Sequence, residues 1–99
     1  MRPLPEEAAR LLDQYQAPPR LVAHLSLVHE VVCTLMEALN LTWPSLQYDR
    51  EAVRLGAAIH DIGKVLVPRE LTQPGHEHEL VGEALLLQQG MPPYVARFA

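Results

Sequence analysis

The sequence predicts an all-α fold of about five helices. Three observations carry this. Apolar residues recur every three to four positions, no stretch alternates apolar with polar residues as a strand would, and the nine prolines fall mostly between the periodic segments. Val65-Leu66-Val67 is too short and too close to Pro68 to add a strand.

Pro5 followed by Glu6 and Glu7 reads as a helix start, with acid facing the positive end of the dipole. This first helix is expected to run to about Tyr15 and to stop before Pro18-Pro19. The second helix begins near Leu21, repeats Leu25, Val28, Val32, Leu35, Met36 and Leu39 at helical spacing, and meets a stop at Asn40. A loop through Trp43, Pro44 and Ser45 leads to Asp49, a good N-cap for a third helix from Arg50 to about Ile62, closed by Gly63. Val65 to Thr72 reads as a loop with one helical turn. A fourth helix runs from about His76 to Gln89 with Gly90 just past its end, and Pro92-Pro93 opens a short fifth.

Ninety-nine residues make one domain, 1–99, with a modest core. Apolar residues at 48% fit a globular chain, and no consecutive apolar run approaches the ~18 residues of a membrane span. The single cysteine, Cys33, cannot form an internal disulfide, and a reducing, cytoplasmic setting is expected. A net charge of −4 leaves no basic footprint for duplex nucleic acid, although a bound metal can supply positive charge locally for a phosphate ester.

The five histidines are the chemical signal. On a helical wheel His24 falls within the apolar arc of the second helix, where it is either a core histidine bonded to a carbonyl or a metal ligand. His29 falls at the edge of that arc and is expected half exposed. His60-Asp61 shifts the balance toward a metal. Gly56 and Ala57, one turn earlier, leave room for an ion beside them, unless Gly56 serves only close helix packing. An aspartate in the apolar stretch Ala57–Ile62 would also be costly to bury without a partner. Lys64 is either a solvated lysine at a helix end or a cation aimed at a phosphate. In Gly75-His76-Glu77-His78-Glu79, His78 is the better candidate because Gly82 clears its face.

His60-Asp61-Ile62-Gly63-Lys64, the upstream Arg20-Leu21-Val22-Ala23-His24, and His78-Glu79-Leu80-Val81-Gly82 together resemble the HD superfamily of metal-dependent phosphohydrolases. The resemblance covers residues 18–99. It implies a helical bundle in which His24, His60 and Asp61 hold a divalent ion, with Mn, Fe, Co, Ni, Zn or Mg as the candidates. Lys64 and His78 are then implied as catalytic groups that contact phosphate or serve a second metal. The implied substrate is a small phosphomonoester or phosphodiester, with nucleotides among the candidates. No duplex nucleic acid or membrane partner is expected, and self-association would use the C-terminal helix.

The pattern departs from the family in one respect. Members carry a further aspartate on a later helix, whereas the aspartates here are Asp13, Asp49 and Asp61. A shortened family member or a fragment of a longer one, another subunit, water, or Glu79 or Glu83 would account for that position. A non-catalytic HD domain, serving as an interaction or structural metal-binding module, is the alternative function.

Overall fold

Asp49 shows how closely local chemistry sets the elements. Its carboxylate accepts the Ala52 backbone N–H at 3.0 Å, capping a helix that begins at the next residue. The computed structural model describes all 99 residues and contains five α-helices and two 3-10 turns, with no strand. They are α1 (Glu6–Gln14), α2 (Pro19–Thr42), α3 (Arg50–Ile59), a first 3-10 turn (Ile62–Val65), a second (Pro68–Leu71), α4 (Glu77–Gln88) and α5 (Pro93–Ala96). Asp49→Ala is expected to cost about 1 kcal/mol, the usual worth of such a cap, as read from urea unfolding. An unchanged midpoint would contradict the role of the cap.

The end of α4 follows the sequence expectation. Gly90 has φ of +87°, its N–H donates to Leu87 O, and the Met91 N–H donates to Leu86 O. This paired closure needs the left-handed residue that glycine supplies at least cost. Other boundaries move. Pro19 takes the first position of α2, where its missing N–H is harmless. That helix also continues past Asn40, whose side-chain oxygen accepts a bond from Arg50 Nε instead of stopping the chain. By length and composition α2 could cross a membrane, with mean hydropathy 1.4 over an 18-residue window. The count of consecutive apolar residues misses this, because His24, Glu30 and Glu37 interrupt the runs without pulling the mean down far.

The core gathers Leu11 and Leu12 of α1, Leu21 and Leu25 of α2, Ile59 of α3, Ile62 of the first 3-10 turn, and Leu85 and Leu86 of α4. Leu25, Ile59, Ile62 and Leu86 are its largest fully buried side chains. Val95 and Ala96 bring the short α5 into the same cluster, leaving Tyr94 and Phe98 exposed.

The buried stripe of α2 is Leu21, Leu25, His29, Cys33 and Met36. Leu27, Val31, Leu35 and Leu39 lie on its outer side, exposed. Because α2 is apolar nearly all round, the centre of its apolar arc does not mark the face that packs. Two sequence expectations are therefore reversed: His24 is exposed and His29 is 3% exposed.

His29 Nε2 lies 3.6 Å from Cys33 Sγ, and its Nδ1 is buried without a partner. Burial pushes the ring below its ordinary value of 6.5; Glu30 opposes this, while Arg54 and Arg2 add to it. The fold thus prefers neutral His29. Its contribution is fully present above pH 6.5 and is lost as pH falls from there toward the lowered folded-state value. Urea unfolding at pH 8 and pH 5.5 is expected to show a smaller acid-side loss in His29→Gln than in the unaltered protein. Equal losses would contradict this assignment.

Candidate metal centre

His60 and Asp61 sit just beyond α3, not on it as the sequence suggested. Helical geometry ends at Ile59, and the chain tightens into the first 3-10 turn, where the Lys64 N–H donates to Asp61 O. Gly63 explains the change. A Cβ there would lie 1.8 Å from His78 O and 2.8 Å from Gly82 N, so only glycine lets this turn press against α4. Neither Gly63 nor Gly82 has a positive φ, so both serve close approach and not turn geometry. Gly82 does not clear space for His78; it seats Gly63 and Ala99. Gly56 does not clear space for an ion; a Cβ there would meet the Phe98 ring at 2.5 Å, which is the packing alternative.

Asp61 is the hub. Its Oδ2 is 3.4 Å from His24 Nε2, 3.5 Å from His60 Nε2 and 3.4 Å from Lys64 Nζ; its Oδ1 is 3.4 Å from His78 Nε2. All five expected site residues therefore meet, and donor atoms of His24, His60 and Asp61 lie within 4.8 Å of one another. Bonds of ~2.0–2.2 Å to one ion place neighbouring donors roughly 3.0–3.5 Å apart. The two distances to Asp61 fit that span.

The tautomer of His60 fits as well. Its Nδ1 lies 2.8 Å from Ala57 O, an atom that can only accept, so Nδ1 carries the proton and Nε2 presents its lone pair beside Asp61. Two imidazoles and a carboxylate form a donor set suited to divalent transition metals. Lys64 reaches Asp61 and is not a freely solvated helix-end lysine.

His24 and Lys64 also line an open cleft of about 400 Å³, with Arg20, Thr72, Leu21 and Leu71 on its other sides. The cleft thus begins at the cluster and carries two cations. His76, the weaker candidate, points away and pairs with Glu79 at 3.1 Å. Glu79 is thereby engaged with His76, and the donor atoms that gather within 4.8 Å are those of His24, His60 and Asp61.

Comparison with known proteins decides the family. The family model described as HD domain matches residues 8–98. The chain belongs to the HD domain family. No curated relative and no solved structure is matched. The match extends ten residues further toward the N-terminus than the resemblance read from the motifs, taking in α1, whose Leu11 and Leu12 are core residues. The family includes metal-dependent phosphohydrolases, and HD domains typically bind divalent metals.

One residue of this HD domain escaped the sequence reading. Glu70, in the second 3-10 turn, is buried and its Oε1 lies 2.6 Å from His78 Nδ1. Burial alone would raise its carboxyl. The His78 ring N–H and the backbone N–H groups of His78 and Glu77 outweigh burial and hold it below the ordinary carboxylate range. The available signal was Gly75: a Cβ there would lie 2.4 Å from Glu70 Oε2.

Proposed function

We propose that this HD domain is a metal-dependent phosphohydrolase acting on a small phosphorylated substrate, with the ion held by His24, His60 and Asp61. The observation that carries this is the continuity of the His/Asp cluster with a cationic cleft through His24 and Lys64. A divalent ion in that cluster would supply a Lewis acid for a phosphoryl oxygen and a bound water of lowered pKa.

The chain's own groups do the rest. Asp61 gathers the donors and balances the charge of Lys64. The Lys64 ammonium, at the border between cluster and cleft, attracts an anionic phosphoryl group and orients it. Arg20 adds a second cation further along the cleft, where its planar fork can hold phosphate through two N–H bonds. Leu21 and Leu71 offer apolar contact to the remainder of the substrate. A cleft of this volume lies at the lower end of the ~300–1,000 Å³ usual for small-molecule sites. A small phosphate ester, nucleotides included, suits it better than a polymer.

The test is hydrolysis of generic phosphomonoesters and phosphodiesters, and of nucleotides, by protein loaded in turn with Mn, Fe, Co, Ni, Zn or Mg. Metal-dependent turnover that is lost in Lys64→Ala with metal retained is the expected result. Metal-loaded protein with no turnover on any of these classes would favour a non-catalytic, structural metal-binding role.

A further inference from the structure

Glu70 has a side chain only 4% exposed, on a short turn whose Pro68 and Arg69 are at the surface. A carboxylate so placed is costly unless its oxygens are fully engaged. Three donors converge on it. His78 Nδ1 lies 2.6 Å from Oε1, the His78 backbone N–H donates to the same oxygen at 3.1 Å, and the Glu77 backbone N–H donates to Oε2 at 3.1 Å. The absent side chain of Gly75 makes room for this, since a Cβ would fall 2.4 Å from Oε2 and 2.6 Å from Cδ.

The backbone bonds place negative charge at the start of α4, a favourable position in any helix. That alone would make Glu70 a cap. The ring bond does something further. A carboxylate can only accept, so Nδ1 of His78 carries a proton, and the imidazole is fixed in plane and rotation. Nε2 is then the atom turned into the centre, 3.4 Å from Asp61 Oδ1. His78 is thus held from behind by Glu70, much as His60 is held by the carbonyl of Ala57.

We propose that Glu70 is the positioning residue of the centre: its buried carboxylate fixes the Nδ1–H form and the ring plane of His78, so that Nε2 faces the metal cluster beside Asp61. The effect on metal affinity rests on the functional reading above; the effect on the His78 ring does not.

The test uses the full chain. Long-range proton–nitrogen spectra of the metal-free protein read the His78 ring, and Zn²⁺ titration calorimetry reads the centre. His78 of the unaltered protein is expected to show a protonated Nδ1 with a downfield, slowly exchanging proton. Glu70→Ala should lose that proton signal and, because His78 reaches the ion's donors only through Asp61, weaken Zn²⁺ binding by up to about 10-fold, the low end of the effect of removing an outer partner. Glu70→Gln, which keeps one acceptor oxygen, should fall between the two.

If Glu70→Ala does not fold, Gly75→Ala displaces the carboxylate without removing it and should shift the same ring signal. An unmoved His78 signal in folded Glu70→Ala or Gly75→Ala would overturn the proposal. So would lowered melting temperature with unchanged ring signal and Zn²⁺ affinity, which would leave Glu70 a helix cap only. Absence of Zn²⁺ binding in the unaltered protein would count against the metal reading, while the ring spectra would still decide the role of Glu70.

Discussion

Asp61→Asn should empty the centre. The substitution keeps the shape of the side chain and removes the charge on which His24, His60, His78 and Lys64 converge. A neutral amide oxygen is a poor ligand for a transition-metal ion, and its NH₂ group would face cations and imidazoles. The loss of metal affinity should exceed the ~10–100-fold typical of losing an outer partner, and any metal-dependent hydrolysis should fall with it. Equilibrium dialysis followed by elemental analysis checks this. The fold should survive, because Asp61 is only partly buried and lies outside the apolar core. Full metal content in Asp61→Asn would mean that the ion is held elsewhere.

Gly63→Ala should have the largest effect on stability. The added methyl group would meet the His78 carbonyl oxygen at 1.8 Å and its carbon at 2.7 Å, and neither belongs to a side chain that can swing away. The first 3-10 turn must then leave α4, which uncovers Ile62 and pulls Asp61 from His78. Overpacking typically costs about 1–3 kcal/mol, and a clash with backbone should reach or exceed the upper end.

Two other glycines grade the effect. At Gly56 the obstacle is the Phe98 ring, a half-exposed side chain that can swing aside. At Gly90 there is open space, and the cost is the strain of φ +87° alone, about 1–2 kcal/mol. The order expected from urea unfolding is Gly63→Ala well below both others. A Gly63→Ala midpoint close to that of the unaltered protein would contradict the contact between the turn and α4.

Local chemistry made much of this legible in advance. Asp49 as N-cap and Gly90 as C-terminal closure follow from one side chain and one backbone conformation, and both stand as read. The resemblance to the HD superfamily points to His24, His60, Asp61, Lys64 and His78, and the structure brings the other four around the Asp61 carboxylate.

The misreadings are tertiary in origin. His24 and His29 exchanged environments because α2 is apolar on two faces and only packing chooses between them. Gly63 as a helix stop and Gly82 as space for His78 are local readings, whereas each accommodates a partner distant in sequence, and at Gly56 the packing alternative holds for the same reason. Glu70 lies eight residues before His78 in a proline-led turn that looks solvated. Nothing in its own segment announces a buried carboxylate.

Metal content per chain decides whether His24, His60 and Asp61 form a metal centre. Protein purified without a metal-binding tag would be offered Mn, Fe, Co, Ni and Zn in turn, dialysed and analysed, beside His24→Ala and His60→Ala. A near-stoichiometric transition metal in the unaltered protein, sharply reduced in both variants, is the predicted result. No retained metal under any of these conditions, or equal retention in all three proteins, would contradict a centre built on His24, His60 and Asp61.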